Sequence, residues 1–442
     1  MSTNDVYRVI ENHLGIAPSA MPMLTEKFQN FEAVNIQTAL DAFGATKGNS
    51  MKLMGVTLVP TDIEEAQAIS FAGGVTLTEL IFAKEVCLGG VSYDLVTCGI
   101  NERMPVVRAG MYLIDCPDGP LIVFSRTTGM RPFLSRSLDV AAPTIAKAGQ
   151  FLDNFRRLMR ELSLFRGQWM KFDADVFGNV TVSFQEKPDV ARDELILQDS
   201  VFDAIESHAI GIGKSKMRLA ASGRHLKRGL LLYGPPGSGK THTVRYLASR
   251  MRESTLFVLA GSGMKGIEFV SRLAEQVTPA IIVLDDVDLI AEDRAMPGLA
   301  PRQLLFSLLD AMDGTREDED ILFVCTTNRA EVVETAIASR PGRIDFAVEI
   351  GRPQEHERKR LLDLYAKGLD LRLEDEAAVV DATDGVSASF IKELLRRAWL
   401  ISQRSDGEFV ADAHIQEALA QMLDPLNPLT PKLLGSVNAD WS

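Results

Sequence analysis

The spacing of hydrophobic residues along the chain changes near residue 199. Before that point, residues 4–14, 24–45 and 142–165 carry apolar side chains at the three- and four-residue intervals of helices. After it, short and almost continuous apolar runs alternate with amphipathic segments. Continuous apolar runs are typical of parallel strands that are buried on both faces. The second part of the chain is therefore predicted to be an α/β unit, a parallel sheet with helices on both faces.

The first part of the chain predicts a mixed α+β domain. Two strand-like runs, 111–116 and 121–124, flank the turn sequence Pro-Asp-Gly-Pro and predict a β-hairpin. Residues 179–184 predict a further strand, and no motif with evident chemistry occurs in this part. We expect this domain to recognise a partner.

Regular alternation of strands and helices ends near Pro353. Strands are predicted at 229–233, 255–260, 280–286, 321–326 and 346–350, with helices at 200–210, 241–252, 264–275, 301–313 and 331–339. Three helices at 355–367, 388–404 and 413–424 then predict a helical subdomain, and the following segment is rich in proline. The predicted domains are 1–198, 199–353, 354–424 and a tail at 425–442.

Composition and charge exclude several classes of protein. The chain has 442 residues, 46% of them hydrophobic, and a net charge of −13 without a long basic cluster, so duplex nucleic acid is not the expected partner. No apolar run approaches the ~20 residues of a membrane span, and no signal-peptide pattern is seen at the start. The cysteines (Cys87, Cys98, Cys116 and Cys325) lack zinc-binding spacing. We expect a cytoplasmic protein with reduced thiols.

A phosphate-binding loop follows the predicted strand at 229–233. Residues 234–241 read Gly-Pro-Pro-Gly-Ser-Gly-Lys-Thr, the pattern G-x-x-x-x-G-K-[ST] between a strand and a helix. Such a loop turns its backbone N–H groups and the helix N-terminus toward phosphate oxygens. ATP and Mg²⁺ are therefore the predicted ligands. The candidate nucleotide contacts are Gly234, Pro235, Pro236, Gly237, Ser238, Gly239, Lys240, Thr241 and His242. For His242 the pattern favours an ordinary residue of the first helical turn over a contact to the β-phosphate.

Two acids end the strand at 280–286. Phosphoryl transfer needs a carboxylate at a neighbouring strand tip to hold the Mg²⁺ hydration shell, and a second one to polarise the attacking water. Asp285, with Thr241, is the candidate metal ligand, and Asp286 is the candidate for polarising water. A strand that ends in solvated acids is the alternative interpretation.

From these motifs onward, residues 200–424 resemble the AAA family of ATPases, within the AAA+ class. Thr326-Thr327-Asn328 resembles the sensor-1 segment, and the Arg-Pro-Gly-Arg run at 340–343 resembles the arginine-finger segment. Residues 383–389 resemble the start of the family's lid helix. The resemblance implies a large α/β ATPase subdomain, a helical lid, a catalytic Asn328, and base binding near 210–212.

The resemblance also implies an oligomer. In the family, arginines placed as Arg340 and Arg343 reach the nucleotide of a neighbouring subunit, so a homo-oligomeric ring, expected to be a hexamer, would complete each site. A protein substrate or adaptor is the implied partner, and the implied function is remodelling or disassembly of that partner. A nucleotide-gated scaffold with little turnover is the alternative function.

Three positions depart from the family pattern. Asp286 stands where a glutamate is usual, so its carboxylate is one methylene shorter, and Asp288 is an alternative group for polarising water. Ala388-Ser389 replaces a Gly-Ala pair in the lid. The segment Met264-Lys265-Gly266 is a degenerate version of the loop with which unfolding members grip substrate, and the alternative is an ordinary helix start.

Overall fold

The computed structural model describes residues 5–58, 76–82, 86–129, 134–174, 180–288, 310, 312, 314, 318–331, 344–404 and 408–423. The chain divides into two compact units, Met1–Gln185 and Glu186–Ser442. The sequence prediction put the first boundary at 198/199, so residues 186–198 fall in the second unit. The predicted tail at 425–442 lies outside the described residues.

The first unit is built on an antiparallel sheet. Its strands follow the order β1-β7-β6-β5-β2-β3, and β4 pairs with the long strand β5. The elements are α1 (Asp5–Leu14), β1 (Met23–Gln29), α2 (Ala33–Ala45), β2 (Ser50–Leu58), α3 (Leu77–Phe82), β3 (Val86–Gly89), β4 (Ser92–Gly99), β5 (Glu102–Asp115), β6 (Leu121–Thr128), β7 (Ser135–Ala141), α4 (Ile145–Glu161), β8 (Trp169–Ala174) and β9 (Val180–Gln185).

Helices cover both faces of this antiparallel sheet. Tyr112 of β5 packs in a core with helices α2 and α4, whereas its neighbour Met111 packs in a second core with α1 and α3. This division follows from the two-residue period of a strand, which turns successive side chains to opposite faces. Phe43 and Phe151 join α2 to α4, with ring centroids 4.9 Å apart and an edge-on geometry.

The predicted continuous helix at 24–45 is wrong in its first third. Residues Met23–Gln29 form β1, which pairs antiparallel with β7 along its whole length, and a helix begins only at Ala33. Leu24 and Phe28 are four residues apart, a spacing that satisfies a helix face and also one face of a strand. The long-range pairing with β7 decides between the two structures, and the Gln29 backbone N–H, bonded to Glu32 at 2.8 Å, marks the transition.

The second unit contains the predicted parallel sheet. Five of its strands lie in the order β14-β10-β13-β12-β11, and each pair is parallel. Helices α7 and α8 pack on the strands β11, β12 and β13. The elements are α5 (Asp199–Glu206), α6 (Lys216–Ala221), β10 (Arg228–Tyr233), α7 (Lys240–Arg250), β11 (Thr255–Ala260), α8 (Ile267–Gln276), β12 (Ala280–Asp285), β13 (Ile321–Thr327) and β14 (Phe346–Glu349).

The strand order places the predicted site residues side by side. Strand β13 lies between β10 and β12, and parallel strands end at the same edge of a sheet. The glycine-rich loop follows β10, the acids end β12, and Asn328 follows β13. Three segments that are far apart in sequence therefore meet at one edge. Of the helices predicted at 301–313 and 331–339, only isolated positions are among the described residues.

A helical subdomain follows the sheet, as predicted. Its core is formed by buried apolar side chains from all of its helices, with Phe390, Ile391 and Leu394 fully buried at the centre. The elements are α9 (Glu355–Ala366), β15 (Leu371–Arg372), α10 (Glu376–Ala382), α11 (Ala388–Arg404), β16 (Val410–Ala411) and α12 (Asp412–Met422). We call these residues the lid.

Candidate active site

The glycine-rich loop is a formed cradle that depends on its glycines. Gly234, Gly237 and Gly239 have φ angles of +145°, +74° and +114°, in the region that side chains rarely adopt. A Cβ atom on Gly234 would lie 2.2 Å from the backbone oxygen of Ile350, and one on Gly237 would lie 1.9 Å from Oγ of Ser389. The loop therefore needs glycine at 234 and 237, because neither the backbone angle nor the surrounding atoms would accommodate a side chain there.

Lys240 begins helix α7 and is almost completely buried. Its Nζ donates to the backbone oxygens of Gly234 and Pro235, each at 2.9 Å. Burial lowers the pKa of Lys240, while the nearby carboxylates of Asp286, Asp288 and Asp285 oppose that shift. The ammonium group is thus held by the loop itself, next to a group of acids.

The two acids at the end of β12 are placed by one hydroxyl group. Thr326 Oγ1 donates to Oδ1 of Asp285 at 2.6 Å and accepts the backbone N–H of Asp286 at 2.8 Å. Asp286 has a φ of +54°, an uncommon conformation for a residue with a side chain, and the peptide group of Asp286 is fixed by this contact. Thr326 therefore holds the carboxylate of Asp285 and the backbone of Asp286.

Asp286 and Asn328 are in contact. Nδ2 of Asn328 donates to Oδ1 of Asp286 at 3.4 Å. Burial raises the pKa of Asp286, as do the neighbouring Asp285 and Asp288, whereas Lys240 and the Asn328 hydrogen bond lower it. A carboxylate that is half-buried among other acids is a reasonable acceptor for the proton of a water molecule.

A cleft of about 430 Å³ joins the loop to the lid. Most of the sequence-predicted residues border it: the loop from Pro236 to Thr241, with His242, Asp286 and Asn328. Asp285 is not among its lining residues. His242 also contacts the backbone oxygen of Glu194 at 3.1 Å through Nε2, which places the ring against the segment before α5.

The lid touches the loop directly. The backbone N–H of Ser389 donates to the oxygen of Gly237 at 3.1 Å, and the hydroxyls of Ser387 and Ser389 lie 3.0 Å apart. The departure from the family pattern at Ala388-Ser389 thus falls at the contact between lid and loop. Any movement of the lid must change the surroundings of Gly237.

Sequence reasoning missed several residues of the cleft. Ile196, Leu361, Tyr365 and Lys392 line it, whereas the described residues 210–212, where we expected the base, do not. Residues Ser207–Gly211 form a π-helical turn instead. The apolar run at 195–197, just before the first helix of the α/β part, was the available signal for Ile196. The lid residues could not be predicted in this way, because it is the packing of the lid that brings them to the loop.

The residues present fit a nucleotide with its metal. The cradle has space only for backbone at Gly234 and Gly237, and Oγ of Ser238 is buried without a hydrogen-bond partner. Thr241 and Asp285 remain the predicted Mg²⁺ ligands; no group of three potential metal-ligating side chains occurs among the described residues. The predicted arginines Arg340 and Arg343 lie outside the described residues.

The segment at 264–266 forms the start of a helix. Met264 is fully buried and Gly266 is buried, in a short 3-10 helix that leads into α8. In the part of the chain that the structure describes, no helix is both long and apolar enough to cross a membrane.

Part of the chain is similar in sequence to known proteins. Residues 230–352 match the family model described as "ATPase family associated with various cellular activities (AAA)". The chain is 32% identical over 231 residues to the ATP-dependent zinc metalloprotease FtsH of Mycoplasmopsis synoviae, covering 49% of this chain and 34% of the relative. It is 26% identical over 299 residues to the proteasome-activating nucleotidase of Methanothermobacter thermautotrophicus, covering 62% of this chain and 72% of the relative.

The FtsH relatives are much longer than the shared region. This chain spans about a third of each of them, and the match covers about half of this chain. The family-model match at 230–352 spans the loop, the acids of β12 and Asn328, which the structure assembles at one edge of the sheet. Residues 230–352 are therefore an AAA domain, the P-loop ATPase module of this chain.

Proposed function

We propose that this chain binds ATP with Mg²⁺ in the cleft between the loop and the lid and hydrolyses it. The observation that carries the proposal is the assembly of Lys240, Asp286 and Asn328 around one glycine cradle. Lys240 would bind the β and γ phosphates, and Thr241 with Asp285 would hold the metal. Bound Mg²⁺ would neutralise charge on the phosphates.

Asp286 and Asn328 would act on the attacking water. Asp286 borders the cleft and accepts the Asn328 amide, and both residues line the cleft, so one water molecule in the cleft would contact the two side chains together. Asp286 borders the cleft even though its side chain is one methylene shorter than that of glutamate. We therefore expect the site to hydrolyse ATP with Asp286 as the carboxylate that polarises the attacking water.

The active assembly would be an oligomer of this chain that acts on a protein partner. Arg340 and Arg343 would reach the site of a neighbouring copy, most simply in a hexameric ring, and stabilise the charge that develops on the phosphates. The domain at 1–198 would select a protein partner, 199–353 and 354–424 would form the ATPase and its lid, and remodelling of that partner would be the output. The name of the archaeal relative, a proteasome-activating nucleotidase, describes a nucleotidase that acts on another protein.

A nucleotide-gated scaffold is the second candidate function. Two observations favour it: Asp286 is already engaged by Asn328, and Met264 is buried where a substrate-gripping loop was considered. In that case ATP would close the lid and assemble the ring, with little hydrolysis. The rate of turnover separates the two functions.

The test is ATP hydrolysis by the full chain as a function of protein concentration, with light scattering on the same samples. Specific activity that rises as an oligomer forms supports an ATPase with shared sites. Assembly with ATP but negligible turnover supports the scaffold. Full activity from a monomer would contradict the shared site, and no ATP binding at all would contradict both functions.

A further inference from the structure

Asp288 is a buried carboxylate that the proposed chemistry does not use. It lies three residues after the end of β12 and is 4% exposed. It does not line the cleft, although Asp286 and Asn328 do. A buried carboxylate is expensive unless donors satisfy it, so its contacts indicate what it does.

Among the residues that the structure describes, Asp288 accepts two hydrogen bonds, and both come from the segment that carries Asn328. Its Oδ1 accepts the hydroxyl of Thr327 at 2.9 Å and the backbone N–H of Asn328 at 3.1 Å. The Thr327 hydroxyl in turn accepts the backbone N–H of Arg329 at 3.0 Å. These bonds fix the turn at the end of β13 on both sides of Asn328.

The fixed turn determines the position of one catalytic side chain. Asn328 follows the last residue of β13, where the ladder to β10 and β12 no longer holds the backbone. Its amide reaches Asp286 at 3.4 Å, near the limit of a hydrogen bond, so a small displacement of the backbone would break the contact. Displacement of a reacting group by about 1 Å can reduce a rate about 100-fold.

We propose that Asp288 is a positioning residue for ATP hydrolysis, which holds the Asn328 turn so that the Asn328 amide meets Asp286. This inference rests on the proposed ATPase function. It removes Asp288 from the candidates for polarising water, because its carboxylate is directed to the turn and away from the cleft lining.

The test uses two variants of the full chain. Asp288→Ala removes the acceptor, whereas Asp288→Asn keeps an oxygen in the place of Oδ1, removes the charge and replaces Oδ2 with an NH2 group. We expect Asp288→Ala to lower kcat at least about tenfold while the ATP Kd changes less than about threefold. Asp288→Asn should recover most of the rate, because a carbonyl oxygen also accepts from Thr327 and from the Asn328 N–H.

Amide hydrogen exchange supplies a readout that needs no turnover. In the nucleotide-free chain, a peptide that contains Asn328 should exchange faster in Asp288→Ala than in wild type, and at nearly the wild-type rate in Asp288→Asn. Peptides from the first unit and from α11 should not change, which verifies that the variants fold. Unchanged exchange around Asn328 in the alanine variant would overturn the proposed contact.

A double substitution tests whether Asp288 acts through Asn328. In an Asn328→Ala background, Asp288→Ala should have little further effect on kcat, because the positioned group is already gone. Full additivity, or an asparagine variant as slow as the alanine variant, would overturn the positioning role. If wild type itself hydrolyses no ATP, the proposed function fails, and the exchange experiment still decides whether Asp288 fixes the turn.

Discussion

The side-chain amide of Asn328 donates to the carboxylate of Asp286 across 3.4 Å, and so joins two residues that are 42 positions apart in the sequence. The parallel pairing of β12 with β13 makes this contact possible, because both strands end at the same edge of the sheet. Lys240 approaches the same edge from β10 and its loop. The order of the strands thus brings the candidate catalytic residues together at one edge of the sheet.

Lys240 is predicted to be indispensable for nucleotide binding. Lys240→Ala removes the one ammonium that the loop holds through Gly234 and Pro235, so we expect ATP affinity to fall at least about 100-fold. Titration with a fluorescent ATP analogue measures the change. Lys265→Ala, at an exposed position outside the cleft, is the matched control and should bind as wild type. Equal affinity in the two variants would contradict the assignment of the loop.

Gly237 is predicted to tolerate no side chain. Gly237→Ala places a Cβ 1.9 Å from Oγ of Ser389 at a φ of +74°. The left-handed backbone conformation alone should lower the free energy of unfolding by about 1–2 kcal/mol. We expect a lower melting temperature and weaker ATP binding, with part of the stability recovered in Gly237→Ala combined with Ser389→Ala. Gly149→Ala is the control: its Cβ meets nothing within 4 Å in helix α4, so it should stabilise the chain by up to about 1 kcal/mol. No difference between the two glycine variants would argue against the contact of lid and loop.

Arg228 is predicted to be a main determinant of stability in the second unit. Its guanidinium group is buried with Asp320 at 2.9 Å and also donates to the backbone oxygens of Ala209 and Leu226. Arg228→Met leaves a buried carboxylate without this partner, which should lower the free energy of unfolding by about 3–5 kcal/mol. Urea titration followed by circular dichroism measures the loss. Lys359→Ala, which removes a solvent-exposed ion pair with Glu376, should cost less than about 1 kcal/mol.

Cys325 is predicted not to react with thiol reagents in the folded chain. Burial in β13 raises its pKa from 9.0 to about 12. A raised pKa favours the neutral thiol in the fold, so this contribution to stability is complete below pH 9 and is lost as pH rises through about 12. Iodoacetamide at pH 8 should therefore label the partly exposed Cys116 and spare Cys325 until denaturant is added. Labelling of both cysteines at similar rates under native conditions would contradict the burial of this strand.

Local patterns were sufficient to predict the parallel sheet and the residues at its edge. The strands at 255–260 and 321–327 are mostly apolar, and the loop and the Asp285-Asp286 pair are defined by contiguous residues. Strand β1 was not predictable in the same way. The spacing of Leu24 and Phe28 suits two structures, and only pairing with β7 selects one of them.

The lid side of the cleft depends on packing that no local pattern records. Tyr365 and Lys392 lie on two different helices and meet the loop only because the lid folds over it. The partners of Asp288 are similarly distant: Thr327 is 39 positions away and Asn328 is 40. A buried acid close to a strand end indicates a fixed contact, but the sequence does not say which residues donate to it.

The measurement that tests the central claim most directly compares wild type with Asp286→Asn for ATP hydrolysis and for ATP binding in the same preparations. Asparagine has the same shape as aspartate but accepts a proton poorly, so the account predicts turnover in wild type, a rate lower by at least about 100-fold in the variant, and equal ATP affinity. Wild-type turnover in Asp286→Asn would contradict the account, because the group in contact with Asn328 would then not be the one that activates water.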